Sequence, residues 1–219
     1  SASQNPAGLG IYRNAEFTFS PNFLINNSSS NYLGRTGKDQ ATNFSIGNIG
    51  IVKPYQFGYE KGLVSFTYAL GYNALNNFKS STLMQGVNTQ SSLLDNFAWY
   101  ANEYNSLDPF YEDLAHQTGL MPLDTVMNEY WHYLQPYDAI GYDGYGQEQV
   151  RIVEKQGYIG EYVFSAAMNF SNKLYIGGTF GLHSVRFSED IYHEETDYQD
   201  LEPDFRSFNF GEYNSTRGY

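Results

Sequence analysis

The sequence predicts an all-β protein, a transmembrane antiparallel β-barrel wall, on three observations. Period-two alternation sets Val64, Phe66, Tyr68, Leu70 and Tyr72 against Ser65, Thr67, Ala69, Gly71 and Asn73. The faces so defined differ in chemistry: one carries large uncharged aromatic and aliphatic side chains, the other Gly, Ala, Ser, Thr and Asn. A soluble sandwich would carry Lys and Glu on its outer face, whereas apolar outside with small and polar inside suits a barrel between lipid and a wet or plugged lumen. Long and short connections also alternate, as they do between the two ends of such a barrel.

Taken in order, short strands are expected at Ala15 to Phe19 and within Asn43 to Val52, followed by Leu63 to Asn73. Tyr158 to Phe170 and Leu174 to His183 form a hairpin about the turn Ser171-Asn172-Lys173, and Thr216 to Tyr219 begins a further strand. That is about five to six strands, each long enough to cross a bilayer at a tilt. Leu24 to Thr42, Phe78 to Gln156 and Phe187 to Ser215 are the expected long outer loops; Lys53 to Lys61 and Ser171 to Lys173 are the short turns. Inside the second strand Phe44 and Ile46 share one parity and Ile49 and Ile51 the other, so the apolar phase slips at Gly47-Asn48, as at a β-bulge. Gly71 is the rival position for a kink, although a strand glycine also serves simple packing.

The excursion 78–156 has helical patterning. Leu93, Leu94, Phe97, Trp99, Tyr100, Ala101 and Tyr104 fall at helix-like spacings between Gln90 and Tyr104, with Ser91 or Ser92 as cap. Asp108-Pro109 reads as the cap and first position of a second helix that ends near Gly119, and a third is expected from Asp124 to His132. The aromatic residues here either pack a small core or form an apolar groove.

Lys and Arg number 12 against 24 Asp and Glu, a net charge of −12 with no basic run, which argues against a nucleic-acid partner. There is no Cys, hence neither a disulfide framework nor a thiolate metal site, and no apolar run approaches a spanning helix. Ser1-Ala2-Ser3-Gln4 has no signal-peptide character. Of the 24 acidic residues, 19 fall in the spans 95–148 and 189–212, so the charge belongs to the expected outer loops.

At Ser3-Gln4-Asn5-Pro6-Ala7-Gly8-Leu9, followed directly by a strand, the sequence resembles the FadL/TodX family of outer-membrane transporters for long-chain fatty acids and other hydrophobic compounds. Gly62 to Asn77 and Gly157 to Phe187 are similar to a FadL-type branch from anaerobic Gram-negative bacteria. The resemblance implies a monomeric barrel of about 14 strands closed by an N-terminal hatch, of which residues 1–10 are the end and 11–219 a partial barrel, with 188–215 an acidic extracellular loop. The chain is then part of a longer protein, since so few strands cannot close. It also implies passive uptake: capture of a hydrophobic ligand in a loop groove, passage to a pocket beside the hatch, and sideways exit where a strand is kinked. By position, Phe97, Trp99, Tyr100, Phe110 and Leu114 become capture residues, Asn5, Pro6, Ala7 and Gly8 the hatch, and Gly47, Asn48 or Gly71 the lateral gate.

Glu161 and His183 fall on the inferred lumen face, as ligand or gate contacts or as partners of lumen groups and water. His193-Glu194-Glu195-Thr196-Asp197 lacks the second histidine of a zinc motif. The acidic run from Glu189 to Asp204 reads as a solvated loop, with divalent bridging to lipopolysaccharide as the alternative. No cofactor, metal or enzymatic activity is expected. The expected surroundings are outer-membrane lipid and lipopolysaccharide. Two competing functions stand beside transport: a non-transporting barrel whose outer loops bind protein partners in a secretion or assembly complex, and a secreted glycan-binding β-module.

Overall fold

The computed structural model describes residues 4–135, 144–202 and 204–219. Ser3 of the motif and residues 136–143 of the excursion lie outside them. A 3-10 turn, Pro6–Ile11, leads into β1 (Glu16–Tyr32), β2 (Arg35–Gln56), β3 (Leu63–Asn77) and β4 (Ser80–Asn88). The excursion holds α1 (Leu93–Tyr104), α2 (Glu112–Gln117) and the short pair β5 (Leu123–Asp124) and β6 (Glu129–Tyr130); β7 (Gln147–Phe170), β8 (Leu174–Thr196) and β9 (Ser207–Gly218) follow. The main sheet is antiparallel, seven-stranded and open, in the order β1-β2-β3-β7-β8-β9, and β4 pairs with β7 beyond the end of β3.

Register places like with like. Phe17, Ile51, Leu70, Phe164 and Phe180 stand opposite one another across five strands, as do Phe19, Ile49, Tyr72, Tyr162 and Leu182. Directly opposed residues share a face, so these rows form one apolar band, and it is exposed: Phe180 is 62% accessible. On the other face the small side chains are covered, Thr67 being fully buried. The 3-10 turn lies there, with Leu9 packed on Ala69 and Ala167. Gly177 permits this approach, since a Cβ at that position would stand 2.5 Å from the Ala7 nitrogen. Val64, expected in the apolar row, falls instead at a register shift between Leu63 and Ser65 and is buried.

Three expected loops are largely strand. Leu24 to Thr42 continues β1 and β2 to a two-residue turn, Leu33-Gly34, in which both residues have positive φ (49° and 79°), as a type I′ hairpin turn requires. The chain 78–156 contains β4 and the first part of β7, and 187–215 contains the end of β8 and most of β9. These extensions mix polar residues with scattered apolar ones such as Leu83, Val150, Phe208 and Phe210, and so lack a sustained alternation in hydrophobicity although their backbones pair. The sheet accordingly has more and longer strands than the sequence count of five to six.

At the end carrying the short turns, here the near end, Ser171 and Asn172 take φ 54° and 56°, and the Ser171 N–H donates to the Gly62 carbonyl at 2.9 Å, joining two turns. The expected third helix is the β5–β6 pair. The Asp124 carboxylate accepts from the Val126 and Met127 N–H groups at 2.7 and 3.1 Å, an Asx turn that takes the chain away from helix. α2 begins at Glu112, later than expected, because Asp108 caps only a turn: its carboxylate accepts from the Phe110 N–H at 2.8 Å.

Candidate functional site

At the far end of the sheet α1 is fixed at its first turn. The Ser92 hydroxyl and Asp95 carboxylate form a capping box. Beneath it the fully buried Glu195 carboxylate accepts from the Ser92 hydroxyl and Leu93 N–H (both 2.7 Å) and from Gln149 Nε2 (3.0 Å), and meets His193 Nε2 at 3.0 Å. A carboxylate at a helix N-terminus is favoured by the helix dipole. Burial pushes the Asp95 carboxyl up, but hydrogen bonds from His132, the Ser92 N–H and Tyr145 outweigh it and hold the group below its ordinary value. Asn105, at φ 46°, ends the helix.

The helix packs Leu94, Phe97, Ala98 and Ala101 against Ala115, Met121, Leu134, Phe205 and Phe208. Between α1, the Asp108-Pro109 turn and the polar-side residues of β7, β8 and β9 a groove of 720 Å³ is left, walled by Phe97, Tyr100, Leu107, Tyr111 and Phe210, with Arg151 as its cation among the described residues. Phe97 and Phe210 meet edge to face at 5.6 Å. Burial, and next to it the Glu212 carboxylate, push the Tyr111 phenol up.

Of the expected capture residues, the structure brings only Phe97 and Tyr100 to this groove, and Phe97 is mainly core. Trp99 lies against Tyr100 and Tyr104 (4.8 and 6.4 Å) and lines a smaller, more polar cavity with Asp95 and His132. Phe110 and Leu114 are exposed outside the groove. Arg151, Ile191, Phe210 and Glu212 were not legible as groove residues, because only the extended far ends of β7, β8 and β9 bring them there.

Asn5, Pro6, Ala7 and Gly8 form the start of the 3-10 turn, the Asn5 side chain accepting from the Gly8 N–H at 3.3 Å with proline following the cap. Beside the turn a cavity of 380 Å³ is lined by Leu9, Tyr12, Val52, Asn48, Asn73 and Val163. Its polar rim belongs to a row that crosses five strands. Thr18 donates to Asn48 (2.9 Å), Asn48 to Asn73 (2.7 Å) and Asn73 to Glu161 (3.1 Å), and His183 stands 3.9 Å from Glu161.

Gly47 is the residue that the ladder skips: Ser20 pairs with Asn48 and Pro21 with Ile46. The register runs unbroken through Gly71, between Gly50 and Val163. At the same level β2 parts from β3, since their pairing stops at Asn48 and Asn73. Above this point β1 lays its polar face on the free edge of β4. Asn26 donates to the Lys79 carbonyl (3.2 Å), Ser28 to that of Ser81 (2.5 Å) and Ser30 to that of Leu83. Side chains at alternate positions thus satisfy carbonyls that a neighbouring strand would otherwise take. The opening left in the sheet is a cavity of 590 Å³ between Phe44 and Ile46 on one side and Tyr72, Asn76 and Tyr158 on the other.

The chain matches no protein-family model, no curated protein and no solved structure.

Proposed function

We propose that the chain is part of an outer-membrane barrel of Gram-negative bacteria that takes up hydrophobic small molecules passively, long-chain fatty acids among them, with no cofactor. The observation that carries this reading is the opening in the sheet above Asn48 and Asn73, which faces the apolar band. A wall that serves only to hold its shape gains by pairing every strand edge, because unpaired backbone in lipid is costly. The groove under α1 and the cavity beside the 3-10 turn provide the two preceding stops, on the face opposite the apolar band. Phe97 and Tyr100 wall the capture groove, Asn5 to Gly8 hold the hatch in place, and Gly47 with Asn48 set the exit.

The test is extraction of the protein, purified from outer membrane in mild detergent, with organic solvent, followed by mass spectrometry against a barrel of similar size. Enrichment of fatty acids or another apolar class is the expected result, and its absence contradicts the reading. A second reading, a barrel that holds a protein partner at its outer loops, is favoured by the exposure of Phe110, Val126 and Met127 on the excursion. A stoichiometric protein in the same preparation, without enriched small molecules, would select it.

A further inference from the structure

Of the 12 Lys and Arg residues of this acidic chain, three are held by carboxylates among the described residues. Arg35 pairs with Glu148, Lys155 with Glu189 and Arg206 with Asp200. Of those with no carboxylate partner among the described residues, three lie together. Arg186 and Arg217 stand directly opposite each other in the β8–β9 ladder and therefore on the same face, a placement that repels unless an anion lies between. Neither has a carboxylate partner among the described residues; Arg186 instead lies over the Tyr158 ring at 6.0 Å, and Tyr158 is its direct neighbour on β7. Lys79 shares the opening beside β2 with Arg186 and Tyr158.

The position of this row decides what it can bind. Tyr158, Arg186 and Arg217 continue the face of Phe164, Tyr162, Phe180 and Leu182, and mark the level at which the apolar band gives way to polar residues. Alternation puts Glu161 and Glu189 on the other face. The next carboxylates on the same face along β7 and β8, Glu154 and Asp190, are four residues further on, about 13 Å away. Two forked guanidiniums over an apolar surface, one braced by a phenol ring, suit an anion with several oxygens that is attached to something apolar.

We propose that Arg186 and Arg217, with Lys79 beside them, form a docking site for the phosphate headgroup of a membrane lipid whose chains lie along Phe44, Tyr72 and the apolar band. The site rests on the reading of that band as lipid-facing. It places an anionic lipid at the outer mouth of the opening in the sheet, where the hydrophobic cargo would leave.

The test uses the protein in dodecyl maltoside with dioleoyl phosphatidic acid as probe, dioleoylglycerol and inorganic phosphate as competitors, and retained lipid read by native mass spectrometry. Phosphatidic acid is expected to bind, and R186Q/R217Q to weaken it about 30-fold, each arginine beside an anionic surface contributing about fivefold. K61Q, altered in a near-end turn, should bind as the unmodified protein does. Both glutamines relieve a like-charge contact, so folding is preserved and the loss reads binding. Equal binding by R186Q/R217Q would overturn the site. Competition by dioleoylglycerol at equal concentration would show that the headgroup is not recognised, and competition by inorganic phosphate would make it a free-anion site; either overturns the proposal. A protein that stays monodisperse without detergent would instead overturn the lipid-facing reading.

Discussion

The sheet and the excursion that caps it follow opposite rules for the same residue types. In the excursion Leu94, Met121 and Leu134 are buried while Glu103, Asp108 and Glu129 face out, as in a water-soluble domain. In the sheet Phe17, Phe44, Phe164 and Phe180 face out while Ser65, Thr67 and Asn169 are buried. One chain in one solvent has no reason to do both. The contrast is what two solvents would produce, water around the excursion and hydrocarbon around the band, and it supports the proposed location more strongly than composition does.

Four sets of substitutions would break or sharpen the contrast. The largest effect is expected at the joint between the two regions: E195A removes the acceptor shared by Ser92, Leu93 and Gln149 and should cost the excursion about 3–5 kcal/mol, read as rapid proteolysis between β4 and β7 while the sheet survives. Next, F164R in the middle of the band should cost about 2–4 kcal/mol and block assembly into the membrane, with H183R on the opposite face assembling normally. Equal assembly of the two variants would erase the distinction between faces.

A smaller effect belongs to Asp95, where D95N weakens the cap and the bonds to His132 and Tyr145, for about 1–2 kcal/mol. Because this carboxyl is held below its ordinary 3.8, the stability it lends is complete above pH 3.8 and is lost as the pH falls through the lower folded value. Resistance of the excursion to an acid-active protease should therefore drop below pH 3.8, and less so in D95N. Smallest, S28A and S30A each remove one donor to a β4 carbonyl, about 1 kcal/mol apiece, and should speed hydrogen exchange in β1 above Pro21 but not below it.

What could be read from the sequence was whatever leaves a period or a break in its hydrophobicity. The rows through Leu70 and Phe164, the Ser171 turn, the Ser92 cap and the skipped Gly47 are all visible as period, punctuation or phase. The polar ends of the strands were not, because Asn26, Ser28 and Ser30 satisfy strand geometry without alternation in hydrophobicity. For the same reason Arg151 and Phe210 could not be assigned to the groove, and the wide register that puts Arg186 against Arg217 appears only once the strands are paired. Asp124 carried a helical pattern and was diverted by its own side chain.

The central claim is that the band through Phe180 meets lipid. The 219 residues contain no cysteine, so single cysteines at 175 to 182 along β8 can each carry a nitroxide with no second label among these residues. Spin relaxation in membranes, by oxygen from the lipid phase and by a nickel chelate from water, reads the environment at each position. The account predicts that positions 176, 180 and 182 respond to oxygen and not to nickel, with 175, 177 and 179 reversed or shielded from both; uniform access to nickel on both faces would contradict it.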